Sequence, residues 1–192
     1  MPLPGDSGGE GLRCDPCLQV ARPWTRGRSA LVYQGQARAL VLALKHGDRL
    51  DLAEPAAAWM AGAAGPILMP DLLIAPIPLH WTRLWQRRFN QSALLSAALA
   101  RRLTLDHLPD LLQRPRATKA LEGHDRAARF AALDGALRLN PRFAGRVKGR
   151  RVLLVDDVMT SGATLAAGAE ACLAGGAEDV RVLTLARVPL GA

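Results

Sequence analysis

The chain has 192 residues, 49% of them apolar and 22% charged, which is enough for one domain with a proper core plus an appendage. No apolar run reaches the roughly 18 residues of a membrane span, and the start of the chain lacks the basic and apolar regions of a signal peptide, so the cytoplasm is the expected compartment. The net charge is +8, from 25 Lys and Arg against 17 Asp and Glu; nearly all of the positive charge is arginine, which suits either a solvated surface or a field that draws phosphate in nucleotides or nucleic acid.

Residues 1–13 are rich in Gly, Pro and Asp and carry no periodicity, so they are expected to be disordered. Residues 14–29 hold Cys14, Cys17, two prolines and several arginines and read as irregular. A short strand is predicted at 30–33. Leu40, Ala43 and Leu44 have helical spacing within 36–45, and Gly47 is placed to stop that helix. A second helix is predicted over 52–60, broken by the stretch 62–70. Residues 71–78 read as a buried strand that ends in a proline-rich turn. A helix follows over 90–102, with Leu94, Leu95, Ala98 and Leu99 as its apolar stripe. Leu111 and Leu112 suggest a short strand, 114–129 a mobile basic loop, and 136–139 the strand returning from it. Then come a strand at 151–155, a helix at 163–173 with Cys172 as a small core residue, and a strand at 180–188. Strands alternating with helices imply a mainly parallel sheet covered on both faces, with ligands beyond the carboxyl ends of the strands.

Residues 152–164 carry the chemistry. Val152, Leu153, Leu154 and Val155 form a strand buried on both faces. Asp156 and Asp157 stand at its carboxyl end. Val158 and Met159 lead to Thr160, Ser161, Gly162, Ala163 and Thr164, which open a helix. A helix start offers unpaired N–H groups and partial positive charge, which suit a phosphate dianion. Gly162 lets the backbone approach closely, and the three hydroxyls add donors. Two acids beside a phosphate cradle would repel phosphate alone; sugar hydroxyls give them something to accept. A ribose 5-phosphate meets both demands. The plainer alternative is an exposed Asp pair followed by a Thr/Ser cap. No Gly-Lys-Ser/Thr follows, so this is not a Walker loop.

This segment resembles the phosphoribosyl pyrophosphate (PRPP) motif of type I phosphoribosyltransferases. Further blocks narrow the resemblance to the ComF/ComFC group of competence-associated proteins, including the GntX type. Tyr33, Gln34 and Gly35 with Leu44 and Lys45 resemble its first block. Pro76, Ile77, Pro78, Leu79 and His80 with Arg83, Arg87, Arg88, Phe89, Asn90 and Gln91 resemble its second. Arg116, Ala117 and Thr118 resemble its third, and 152–164 its fourth. The chain departs from the group at Leu121, Ala132 and Leu137, in and after the loop that by resemblance closes over substrate.

The resemblance implies an α/β, type I phosphoribosyltransferase-like domain over 30–192, preceded by an irregular segment over 1–29. It implies PRPP contacts at Asp156, Asp157, Val158, Met159, Thr160, Ser161, Gly162, Ala163 and Thr164. Leu79, His80, Arg83, Arg87, Arg88 and Lys45 would face the pyrophosphate side. Asp156, Asp157, Arg83 and Lys119 would serve catalysis, with Mg²⁺ accompanying PRPP. Lys45 could equally be a favourable cation at a helix C-terminus. Arg87 and Arg88 read as cations at a helix N-terminus, which an anion would have to justify. Cys14 and Cys17 have metal-knuckle spacing, but zinc usually takes four ligands; a site formed by this chain alone is not expected, and sharing across a homodimer is the alternative. The group also implies a link to DNA uptake in natural transformation. Two other functions compete with it: a single-stranded-DNA-binding competence factor regulated by PRPP or a nucleotide, with Trp81 and Trp85 beside arginines, and a nucleobase salvage enzyme.

Overall fold

In the computed structural model the described residues are 21–46, 49–115 and 135–189. Cys14, Cys17, the helix-stopping Gly47 and the loop residues Arg116, Ala117, Thr118, Lys119, Leu121 and Ala132 lie outside them, as do the expectations attached to those positions.

The chain forms β1 (Arg26–Val32), α1 (Gly35–His46), α2 (Ala53–Ala64), β2 (Leu72–Pro76), α3 (Trp81–Arg87), α4 (Gln91–Leu103), β3 (Asp106–His107), β4 (Leu112–Gln113), β5 (Arg138–Leu139), α5 (Ala144–Val147), β6 (Arg151–Met159), α6 (Ala163–Ala174) and β7 (Asp179–Arg187). Five strands make one sheet in the order β1-β7-β6-β2-β3, and every pairing in it is parallel. β4 and β5 pair antiparallel as a separate ribbon. The expected mainly parallel, helix-covered sheet is therefore present.

Alternation along the central strands divides the core in two. Val152 and Leu154 of β6, with Leu73 and Ala75 of β2, face a cluster that includes Trp24, Leu165, Ala169 and Cys172. Leu153 and Val155, with Leu72 and Ile74, face a second cluster with Val41, Met60, Leu95 and Leu99. Strands buried on both faces must be apolar at consecutive positions, which is why 152–155 carry no polar residue. Each large side chain so buried contributes roughly 1.5–3 kcal/mol. Cys172 is fully buried, and burial pushes its thiol up to about 12.

Gly168 sits in the middle of α6. A β-carbon there would stand 2.9 Å from Ile77 Cδ1 and 3.2 Å from Leu154 Cδ1. The glycine thus lets α6 lie close against β2 and β6, which sets the height of the loop feeding that helix.

Several boundaries differ from the sequence reading. β1 begins at Arg26 rather than at 30, so residues 26–29 belong to the sheet; Arg26 pairs with Arg181 and Ser29 with Thr184. Its polar residues misled the reading because β1 is an edge strand, where outward arginines are tolerated. α2 runs through Gly62 to Ala64, since Ala64 and Ile67 are buried and repay a glycine penalty of about 1 kcal/mol. β6 continues to Met159, so the acid pair lies within the strand and not after it. α3 was not foreseen, and it changes the reading of Arg87 and Arg88. Arg87 is the last residue of α3 and Arg88 its C-cap in the left-handed region at φ 64°. Cations favour that end of a helix, so the dipole argument for a bound anion no longer holds.

Candidate functional site

The two carboxylates at the end of β6 are adjacent in sequence but are held by different helices. Asp156 Oδ1 accepts from Ser92 Oγ of α4 at 2.8 Å and from the Asp157 backbone N–H at 3.0 Å. Asp157 Oδ1 accepts from the Val158 N–H at 2.6 Å, and its Oδ2 lies 2.9 Å from Lys45 Nζ of α1. Asp156 is half-buried as a residue, yet its carboxyl is pushed up to about 7, by burial first and the neighbouring Asp157 charge second. Ser92, the Asp157 amide and Lys45 pull in the opposite direction. The acid pair therefore combines one carboxyl poised near neutrality with one bound to a cation.

The hydroxyl loop follows at once. Gly162 is the N-cap of α6 at φ 82°, a conformation that disfavours any other residue. Ser161 Oγ accepts from the Ala163 N–H at 3.3 Å. Thr160 is exposed, Val158 and Thr164 are partly so, and Met159 and Ala163 are buried. α6 is 12 residues long and has no acidic residue in its first turn, so its positive end is not neutralised from within.

The opposite wall comes from the end of β2. Ile77 N–H donates to Val155 O at 2.9 Å, which carries the β2–β6 pairing past the strand. Leu79 is partly exposed. His80 is buried at the N-cap of α3, where Nδ1 lies 3.3 Å from the Thr82 N–H and 2.8 Å from Thr82 Oγ1. One ring nitrogen is thus occupied with capping. Arg83 and Arg87 fall in α3, and exposed Arg88 closes it.

Asn90 joins the two walls. Its Nδ2 donates to Ile77 O at 3.0 Å, and its Oδ1 accepts from the Ser92 N–H at 3.1 Å. Ser92 in turn holds Asp156. The turn after β2, the start of α4 and the acid pair are one bonded unit. The sequence reading placed Asn90 in the second block without a role of its own and did not single out Ser92. A serine two residues beyond an Asn N-cap carries no local sign that it bonds an aspartate 64 residues away. Lys45, offered as an anion contact or a helix-end cation, is placed on Asp157. Among the described residues no group of three or more His, Cys, Asp or Glu could form a metal cage, and no helix is long and apolar enough to cross a membrane.

Residues 90–191 match the phosphoribosyl transferase domain model, and the chain belongs to that family. Its relatives carry more particular names. It is 33% identical over 182 residues to the DNA utilization protein YhgH of Escherichia coli O157:H7, covering 92% of this chain and 78% of that one. It is 35% identical over 119 residues to competence protein F of Haemophilus influenzae, covering 62% and 51% respectively. These bear out the resemblance to the ComF group. Among solved structures, glutamine PRPP amidotransferase from B. subtilis aligns at TM-score 0.49 and 16% identity, over 75% of this chain and 30% of that one. Adenine phosphoribosyltransferase from Thermoanaerobacter pseudethanolicus aligns at TM-score 0.44 and 19% identity, over 72% and 82%.

Proposed function

We propose that the chain binds PRPP at the carboxyl end of β6 and acts as a phosphoribosyltransferase in a process linked to DNA uptake. One observation carries the reading: an acid pair anchored from two helices is followed directly by a glycine- and hydroxyl-bearing loop at the start of α6. Asp156 and Asp157 would accept from the ribose 2′- and 3′-hydroxyls. Thr160, Ser161, Gly162, Ala163 and Thr164 would hold the 5′-phosphate with amides and hydroxyls.

Transfer breaks the bond from ribose C1 to a pyrophosphate oxygen through an oxocarbenium-like state, and a bond from C1 to the acceptor forms. Negative charge grows on the departing pyrophosphate, so fixed cations and dipoles aimed there lower the barrier. The β2–α3 turn, with Leu79 and His80, and the arginines Arg83, Arg87 and Arg88 are assigned that role. Lys119 is assigned to the same charge from the loop outside the described residues.

The donor set suits Mg²⁺ as an ion that enters with its diphosphate, because the acid pair offers carboxylates while the described residues hold no protein cage. Asp156 and Asp157 would hold such an ion through its waters, and it would supply charge neutralisation at the leaving group.

Calorimetry with PRPP tests the assignment. The Asp156→Asn/Asp157→Asn double variant should bind at least about tenfold more weakly, since hydrogen bonds to charged groups are worth ~1.5–3 kcal/mol each. Equal affinity of variant and wild type would refute it. An acceptor screen that follows pyrophosphate release separates competence-linked transfer from nucleobase salvage.

A second reading has its own observation. Trp81 and Trp85 of α3 are 68% and 86% exposed, next to exposed Arg88. Aromatics among cations stack bases while charges hold a backbone. The relatives are named for DNA utilization and competence, so single-stranded DNA is the partner this surface suits.

A further inference from the structure

Residues 22–24 precede β1 and lie outside the span 90–191 that matches the family model. They nonetheless reach the hydroxyl loop. Trp24 is buried, and shares a core cluster with Met159, Ala163 and Val182. Thr25 fixes the segment behind it: its N–H donates to Val180 O at 3.0 Å and its hydroxyl to Asp179 Oδ1 at 2.6 Å. Arg22 lies over the indole, with its guanidinium carbon 5.2 Å from the ring centroid of Trp24. Both side chains close on the N-cap glycine of α6. A β-carbon on Gly162 would stand 3.1 Å from Trp24 Cη2, 3.4 Å from Arg22 Nη1 and 3.6 Å from Met159 Sδ.

Two physical points follow. A guanidinium stacked on an indole keeps its charge while losing freedom, so less is lost when it binds an oxyanion. It is also more weakly hydrated than an ammonium. A cation beside the positive end of a helix opposes the helix dipole. A phosphate dianion at that loop turns the opposition into attraction from both sides, with the amides on one side and the arginine on the other.

We infer that Arg22, held on Trp24, binds the 5′-phosphate of the ligand, and that the segment before β1 is one wall of the cradle. The inference rests on the phosphoribosyl reading given above and adds to it a residue that neither the hydroxyl loop nor the basic turn contains. Trp24 is the positioning residue, and Arg22 the one that meets the phosphate.

Calorimetry on the full chain with two separate probes, ribose 5-phosphate and inorganic pyrophosphate, tests it. Arg22→Gln should weaken ribose 5-phosphate about tenfold or more and leave pyrophosphate unchanged, since only the first presents a 5′-phosphate. Arg22→Lys should recover part of the loss, because the charge returns without the planar fork. Trp24→Phe should weaken ribose 5-phosphate less than Arg22→Gln does. If Arg22→Gln binds ribose 5-phosphate like the wild type, the inference is overturned while the phosphoribosyl reading stands. A loss of both probes together with a lowered melting temperature overturns it as well, by showing a structural role. Failure of the wild type to bind ribose 5-phosphate overturns both.

Discussion

Asp156 and Asp157 share a strand end, yet they are held differently. Lys45 and the Val158 amide hold Asp157, while Asp156 has the hydroxyl of Ser92 and the Asp157 amide. Burial and the neighbouring acid push Asp156 up to about 7, far above the ordinary value near 3.9. Because the folded value is raised, the folded state holds a proton between about pH 4 and 7 that the unfolded chain has released. Stability from this group is therefore full at low pH and is lost as pH rises through about 7. Asp156→Asn removes the cost of ionising a buried carboxyl. Its melting temperature should exceed that of the wild type at pH 8 and match it only below about pH 4, where both states are protonated, which thermal melts at pH 8 and near pH 3.5 check. PRPP affinity of the wild type should move the other way, rising with pH through about 7, because the ionised carboxylate is the better acceptor for ribose hydroxyls. Opposite slopes of stability and affinity would mark a residue whose charge is retained for ligand and not for the fold.

At the scale of elements, α6 decides where the hydroxyl loop stands. It was readable as an apolar helical run over 163–173, and Cys172 was rightly placed in the core. The closeness of its packing depends on Gly168, whose missing side chain leaves room for Ile77 and Leu154. Gly168→Val should destabilise the fold by roughly 1–3 kcal/mol through overpacking, read as a lowered midpoint in urea. A stability equal to the wild type would show that α6 shifts freely, against the picture of a loop set by close packing. α3 is the element the sequence concealed. Four of its seven residues are polar or charged, and although Trp81, Leu84 and Trp85 have helical spacing, all three are exposed, so no buried stripe marks the helix. The helix exists because His80 caps its start and Arg88 takes the left-handed turn at its end.

For the whole molecule, the balance of +8 and the exposed tryptophans of α3 bear on a nucleic-acid partner. If single-stranded DNA binds, affinity should fall steeply with salt, since counterion release scales with the phosphates neutralised. Trp85→Ala should weaken binding by about tenfold, because stacking is worth ~1–3 kcal/mol per base. Fluorescence anisotropy with a labelled oligonucleotide across a salt series checks both, and no binding at low salt ends the idea. That outcome leaves the acid pair and the hydroxyl loop untouched, since the DNA surface shares only Arg88 of α3's end with the proposed PRPP site.

In residues 152–164 the buried strand and the helix after it were legible without any structure, although the strand runs on to Met159, because a buried strand, a tight turn and a helix start each demand particular residues in a row. The parallel sheet was equally legible, through apolar runs alternating with helical spacing. Contacts between distant segments were not. Nothing near Asp156 announces Ser92, nothing near Asp157 announces Lys45, and nothing near Gly162 announces Arg22 and Trp24. Those pairings arise only when β1, β7, β6 and β2 lie side by side and bring chain segments more than 60 residues apart to one strand end. Periodicity reports which face of an element is buried, whereas the identity of the partner across a cleft is set by how the elements pack, and that information belongs to the tertiary structure alone.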